Sequence, residues 1–298
     1  MLDYYRITDT FTKEEKQVQT AVRDFVKSEV QPHISEWWEL GEFPKDLPGK
    51  LGSLGLLGST LPKSYGASGV SNISYGLIMY ELERSDSGLR SFASVQGALV
   101  MYPIFAFGSE KHRREYIPKL AKGELTGCFG LSEHDGASDP GSLNTRASKD
   151  KDSYTLNGTK MWITNGGTAD IAIIWARDDD DTIRGFIVPT DTQGFTTNLI
   201  KRKVSLRISE TSELVLQNVR VPEENMLPEA SGLSAPLSCL TAGRYGIAWG
   251  ALGALEAVYT ESLEFSKTRS TFGEGLLMYR HLLWKKHTLT ILLNIRPT

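Results

Sequence analysis

Two changes of hydrophobic rhythm, one near Gly123 and one near Leu233, divide this 298-residue chain into helical, β and helical stretches. Few folds accommodate that order. Helices, then a block of short strands, then helices again call for a β-domain set between helical parts, not an alternating parallel sheet. Thr12 with Glu15 three residues on forms a capping box. Val18, Val22, Phe25 and Val26 then share one helical face, and Pro32 closes the run. A Gly/Leu stretch over 51–57 and a turn-rich segment with Pro62, Gly66 and Gly69 follow. Helical patterning returns over 73–84, 99–107 and 109–122.

Beyond Gly123, short β-branched and aromatic runs alternate with turn signals. Tyr154 and Leu156, then Asn157-Gly158, then residues 160–164 read as a β-hairpin, because Asn-Gly tolerates the positive φ of a tight turn. Residues 171–176, 185–189 and 213–219 read as further strands. The acidic run 178–181 reads as a solvated loop tip, since no second acidic cluster accompanies it. Helical patterning resumes over 233–267. The expected fold class is α+β: an N-terminal helical domain over 1–122, a middle β-barrel domain over 123–230, a helical part over 231–273, and a tail over 274–298.

A formal net charge of −3 gives no basic excess for a nucleic-acid partner. Cys128 and Cys239 are too few for a disulfide scaffold, which points to a reducing compartment. No apolar run is long enough to span a bilayer. The N-terminus has neither a signal-peptide core nor an Arg-rich transit pattern, so a bacterial cytoplasmic location is expected, or the mitochondrial matrix for a processed form.

Four segments, in this order and spacing, resemble the acyl-CoA dehydrogenase family. They are Phe129-Gly130-Leu131-Ser132-Glu133 through Ser138-Asp139-Pro140, Trp162-Ile163-Thr164-Asn165, Arg244-Tyr245-Gly246-Ile247-Ala248-Trp249-Gly250, and Arg269 with Phe272-Gly273. Taken singly, Trp162 reads as core, Ser138 as a turn former and Arg269 as a solvated helix-end charge. Together they reverse those readings over residues 8–273. The resemblance implies a C-terminal four-helix bundle, of which this chain carries a remnant, and FAD held between bundle and β-domain. Phe129, Gly130, Leu131, Ser132 and Ser138 would lie along the flavin, with backbone groups and the Ser132 hydroxyl on its polar edge. Trp162, Ile163 and Thr164 would pack against the isoalloxazine, and Arg269 would reach the pyrophosphate in a neighbouring subunit of a homotetramer. One departure is Ala137, where the family pattern has Gly; a position needing positive φ would not welcome that β-carbon.

The segment from Glu81 through Arg90-Ser91 to Ser94-Val95-Gln96 is similar to the glutaryl-CoA members of the family. By that resemblance Arg90 holds the distal carboxylate of the five-carbon acyl group, with Ser94 assisting and Glu83 nearby. Ser91, Ser138 and Arg244 fall at substrate-contact positions. A tunnel that admits a carboxylate must offer a paired cation, or desolvation would exclude the ligand. The implied chemistry is removal of the α-proton, hydride transfer from the β-carbon to FAD, loss of CO2 to give crotonyl-CoA, and electron transfer to an electron-transfer flavoprotein. Two other readings stay open: a dehydrogenase of another short-chain acyl-CoA with Arg90 turned away, and a non-catalytic flavin- or acyl-CoA-binding protein.

No catalytic residue is assigned. The family base is a Glu in a Tyr-Glu-Gly-Thr motif that this sequence lacks, and at the alternative family position, directly before Arg244, stands Gly243. Past Gly273 the motif pattern is lost, and Arg280 stands where the family has a glutamine. The chain is therefore expected to be truncated within the bundle, inactive as it stands, and weak in FAD affinity, with tetramer formation in doubt.

Overall fold

The computed structural model describes residues 3, 5–271 and 274–276. Phe272, Gly273 and Arg280 lie outside the described residues. Local rules account for the helices. Thr12 caps α1 (Lys13–Phe25) by accepting the Glu15 N–H, and Glu15 accepts the Thr12 N–H in return. The chain widens into a π-helical turn at Val26–Val30 and stops ahead of Pro32. After α2 (Ile34–Leu40) and α3 (Leu47–Ser53), Ser71 caps α4 (Asn72–Glu83) and Asp86 caps α5 (Ser87–Ser94). A second π-helical segment, Val95–Met101, carries α5 into α6 (Tyr102–Phe107), and Ser109 caps α7 (Glu110–Ala121). Gln96 anchors that widened turn. It donates to the carbonyls of Leu120 (3.2 Å) and Leu125 (2.7 Å) and accepts the Gly127 N–H at 3.0 Å, which ties the helical front to the first strand.

The middle of the chain is a curled seven-stranded sheet. Its strands are β1 (Gly127–Gly130), β2 (Arg146–Asp150), β3 (Ser153–Thr164), β4 (Ile171–Arg177), β5 (Ile183–Pro189), β6 (Phe195–Leu199) and β7 (Thr211–Pro222). They run in the order β1-β4-β2-β3-β7-β6, with β5 on β4. The hairpin expected at Asn157-Gly158 is not formed. β3 runs through that dipeptide, absorbing it as an irregularity between the Leu156–Val219 and Gly158–Leu216 pairs. Both edges of β3 are occupied, by β2 and by β7, so a hairpin there would forfeit both ladders. The Asn157 side chain instead accepts the Asn218 N–H at 2.8 Å, and the tight turn falls at Lys151 (φ 55°), between β2 and β3. The acidic run 178–181 serves the loop itself: Asp178 accepts the Thr182 N–H and pairs with Arg184, and Asp181 pairs with Arg146.

Three apolar clusters hold these parts. One fills the helical front around Val22, Leu51 and Leu82, and one fills the curled sheet around Ile174, Phe186 and Leu214. The third joins them: Val100, Ile104 and Ile117 from the helices meet Phe129, Ile173 and Trp175 from the sheet and Cys239 from α8 (Ser234–Thr268). α8 then crosses α4 at close range. Gly246, Gly250 and Gly253, on one helical face, meet Tyr75 with Met79, Glu83 with Arg90, and the Tyr80 carbonyl respectively. Trp249 returns the fit by covering Gly76 of α4. The far side of α8 leaves Ile247, Leu252, Val258 and Phe265 exposed. Beside the seam, buried Glu81 receives Gln19 (2.8 Å), Arg23 (2.6 Å) and Arg84 (3.2 Å), so its charge is fully met.

The seam makes a paired prediction. A β-carbon at Gly253 would overlap the Tyr80 carbonyl oxygen, so Gly253→Ala should cost about 1–3 kcal/mol by overpacking. At Gly243 a β-carbon meets nothing closer than Leu99 Cδ2 at 3.8 Å. Gly243→Ala should therefore be neutral or gain up to about 1 kcal/mol from helix propensity. Urea midpoints of the two variants should move apart; equal midpoints would contradict the packing described.

Candidate functional site

Of the segments singled out in the sequence, three converge on a cavity of about 510 Å³ between the sheet and α8. Ser132, Ala137 and Ser138, on the loop after β1, form one side, with Phe129 and Leu131 beneath. Trp162, Ile163 and Thr164 form the next side. Leu237, Leu240 and Arg244 close it from α8, and Val95 and Leu99 back it from the π-helical segment. Of these, Arg244 was singled out in the sequence; Val95, Leu99, Leu237 and Leu240 were not read as site residues, although the 237/240/244 spacing is that of one helical face. Gly130 is not brought to the cavity; it lies inside the sheet against the stem of Lys160 and the Ile174 side chain. Arg269 is exposed at the far end of α8 and lines no part of it.

The Trp162 placement follows from a bulge. Between the Lys160–Leu214 and Ile163–Ser212 pairs, β3 carries one residue more than β7. The extra residue puts Trp162 at φ 62° and leaves its side chain largely uncovered, at 59% exposure. Left-handed backbone at a bulky residue is strained and persists where the surroundings impose it. Bulges commonly re-aim a side chain in this way. Around the ring, the hydroxyls of Ser132, Ser138 and Thr164 donate and accept no hydrogen bond among the described residues. An aromatic wall with three unengaged hydroxyls is a surface suited to a planar polar ring. Ala137 does not take positive φ, so the loop accommodates its β-carbon without strain.

A buried ion pair holds the two sides of this wall together. The Lys160 ammonium is fully buried and donates to Glu133 at 2.7 Å and to the Leu131 carbonyl at 3.2 Å. Glu133 in turn accepts the N–H groups of Asn144 (2.6 Å) and Thr145 (3.0 Å) and the Thr145 hydroxyl (2.6 Å). The Met161 N–H donates to the Ser132 carbonyl at 2.9 Å. Loop 131–145 is thereby laced to β3 beside the bulge. Burial pushes the Lys160 pKa down, with Glu133 opposing, to about 8, so the pair is charged at neutral pH. Burial alone would raise the Glu133 carboxyl, but the Lys160 charge and the hydrogen bonds outweigh it and the net shift is downward.

The remaining sequence candidates gather in a second place, outside the cavity lining. Arg90 and Glu83 form an ion pair at the junction of α4 and α5, and the Ser87 hydroxyl also donates to Glu83. The Arg90 side chain is only 12% exposed. It pairs through Nε alone, and its two terminal nitrogens donate no hydrogen bond among the described residues. Ser91 and Ser94 lie on the same short helix, and Val95, the next residue, lines the cavity.

Three family models match the chain: the acyl-CoA dehydrogenase N-terminal domain at residues 12–124, the middle domain at 128–219 and the C-terminal domain at 230–294. The last match runs on past Gly273, where the motif reading lost the pattern. An acyl-CoA dehydrogenase of Bacillus subtilis (strain 168) is 39% identical over 270 residues, covering 89% of this chain and 71% of that protein. The structure resembles a glutaryl-CoA dehydrogenase from Mycobacterium smegmatis in complex with FADH2, with a TM-score of 0.94 and 47% identity over 97% of this chain and 74% of that one. It also resembles the butyryl-CoA dehydrogenase of Megasphaera elsdenii, with a TM-score of 0.90 and 34% identity over 95% and 76%.

The lacing of the cavity wall is open to test. Glu133→Gln strands a buried ammonium and should lower stability by about 3–5 kcal/mol, while the paired Glu133→Leu/Lys160→Met variant should lose far less. Because the folded-state pKa of Glu133 is depressed, its contribution is present above the unfolded carboxylate value of 4.5 and is lost as pH falls through the folded value. Acid titration of unfolding midpoints should accordingly be steeper for the unaltered chain than for the double variant. Identical acid slopes would argue against the pair.

Proposed function

The chain belongs to the acyl-CoA dehydrogenase family, and we propose that it binds FAD against the Trp162 wall and takes glutaryl-CoA as its thioester. The reaction such a site serves, once a base for the α-proton is supplied, is α,β-dehydrogenation with loss of CO2 to crotonyl-CoA, electrons passing to an electron-transfer flavoprotein. FAD, when bound, supplies the hydride acceptor. Ser132, Ser138 and Thr164 supply unengaged hydroxyls for its polar groups and Trp162 a flat apolar face, while Arg244, at the α8 side, supplies a cation for the thioester substrate. Arg269 is proposed to serve the pyrophosphate of a neighbouring subunit in a homotetramer, and a cytoplasmic location goes with the same reading.

One observation carries the choice of acyl group. Arg90 is nearly buried, yet only its Nε is engaged, which leaves the terminal fork open for a carboxylate. A guanidinium fork matches a carboxylate through two parallel N–H···O bonds. A butyryl chain would press a methyl group against that fork and desolvate donors without replacing their bonds. The 47% identity to a glutaryl-CoA dehydrogenase supports the same choice.

Removal of the α-proton needs a base within hydrogen-bonding reach. Among the described residues, none of the side chains lining the cavity is a carboxylate. The chain is therefore proposed to bind thioester without turning it over. Gly243 is buried on α8 directly before Arg244, with cavity-lining Leu99 its nearest neighbour at 3.8 Å from a β-carbon built there. That is room for a side chain directed at the substrate.

Arg90→Met should weaken glutaryl-CoA binding to the FAD-saturated chain about a hundredfold and leave butyryl-CoA binding unchanged. Equal effects on both ligands in a calorimetric titration would sink the glutaryl reading. Gly243→Glu should convert a chain that leaves flavin absorbance at 450 nm intact into one that bleaches it when mixed anaerobically with glutaryl-CoA. Persistent colour in a correctly folded, ligand-binding variant would show that the base must sit elsewhere.

A further inference from the structure

α4 leaves one buried hydroxyl on the side of α8 that Arg90 also faces. Tyr75, near the start of α4, stacks on Tyr245 of α8 with ring centroids 6.1 Å apart. Its Oη ends over Gly246, 2.6 Å from where a β-carbon would stand. One helical turn along α8, at Gly250, the corresponding distance to Arg90 Nε is 3.2 Å. Successive-turn positions on a helix face are about 5–6 Å apart, so phenol and guanidinium look into the same stretch of the seam. Ser94, buried and one turn after Arg90 on α5, stands close enough for its hydroxyl to act on the phenol, as does the Arg90 charge. Burial nevertheless keeps the Tyr75 pKa above its ordinary value, so the group is a neutral donor.

No group among the described residues meets Tyr75 Oη in full hydrogen-bond geometry, the Ser94 hydroxyl standing near enough to be only a weak partner. Its stacking neighbour, Tyr245, behaves as tyrosines usually do and reaches the Asn72 carbonyl at 3.1 Å. Buried phenols are ordinarily satisfied, and an unsatisfied one needs an explanation. An ionised carboxylate offers about four acceptor sites, and an arginine fork takes two of them. Glu83 already balances the Arg90 charge, so neutral donors carry a larger share in holding a third charge.

We propose that the Tyr75 hydroxyl is a further specificity-determining group of the acyl site, donating a hydrogen bond to the distal carboxylate that the Arg90 fork grips. This rests on the reading of Arg90 as the carboxylate clamp. The competing explanation is a water shared between Tyr75 and Ser59, whose Oγ also lacks a partner and which lines the same pocket of about 50 Å³.

The test is calorimetric titration of glutaryl-CoA and butyryl-CoA into the FAD-saturated chain and its Tyr75→Phe, Ser59→Ala and Arg90→Met variants. Tyr75→Phe should weaken glutaryl-CoA about tenfold and leave butyryl-CoA within about twofold; the second ligand also reports that the variant is folded. Ser59→Ala should change neither. An unaltered glutaryl-CoA affinity in Tyr75→Phe, beside a lost preference in Arg90→Met, overturns the role of Tyr75 and leaves the clamp standing. Equal weakening of both ligands, or the same loss in Ser59→Ala, overturns it in favour of packing or shared water. If Arg90→Met keeps its preference for glutaryl-CoA, the clamp itself fails and Tyr75 with it.

Discussion

The approach of α8 to α4 governs the rest of this molecule, and it is permitted only because Gly246, Gly250 and Gly253 carry no side chain. Were α8 held a few ångströms further out, Leu237, Leu240 and Arg244 would no longer close the cavity over Trp162. The polar groups of α4 and α5 would then face water instead of a seam. A helix pays for glycine in conformational freedom, by about 0.8–1.0 kcal/mol relative to alanine at each interior position. Three such residues on one face are sustained by the contacts they allow, including the reciprocal seating of Trp249 over Gly76.

Within that frame, three buried carboxylates are treated differently. Glu81 is met by Gln19, Arg23 and Arg84 and has nothing left to offer. Glu133 is met by Lys160 and by three donors of its own loop, and Lys160 spends a further proton on Leu131. Both networks are closed, which suits a structural role, since buried polar groups rigidify when fully satisfied. The third, Glu83 with Arg90, is closed on the carboxylate side only. The buried Tyr75 phenol on the same seam departs from the general rule of satisfaction beside this open guanidinium fork, and such departures concentrate at functional sites.

Much of this was legible in the residues themselves. Thr12 with Glu15 and the apolar face after them fixed the first helix because a cap and a stripe are local signals. The helix–sheet–helix order survived because period and turn chemistry agree over long stretches. Asn157-Gly158 misled because turn propensity is a local preference, whereas β3 is set by two neighbouring strands that lie far away in sequence. Lys160 gave no sign of being buried. A lysine in a strand reads as solvent-facing, and only the partner 27 residues earlier makes its burial tolerable. Trp162 was singled out as a cofactor wall, but its geometry was not legible, since a bulge depends on register against β7. Tyr75 was invisible for a related reason: an unsatisfied hydroxyl is a property of surroundings, not of sequence.

The half-closed pair also bears on how selective such a site can be. A lone buried arginine would bind a carboxylate strongly but would destabilise the empty protein, because an uncompensated charge is costly to desolvate. Glu83 removes that cost by making the empty seam electrically neutral. The consequence is that attraction for an incoming anion comes less from net charge and more from directed donors, the terminal nitrogens of Arg90 and the neighbouring hydroxyls. Directed donors discriminate by shape and by unmet bonding, the kind of contact that rejects an analogue lacking the polar group more firmly than an apolar pocket rejects a missing methylene. A seam built from Glu83, Arg90, Ser94 and Tyr75 would thus separate a carboxylate-tipped acyl chain from an apolar one chiefly through hydrogen-bond geometry, with Gly246 and Gly250 keeping the floor clear for it.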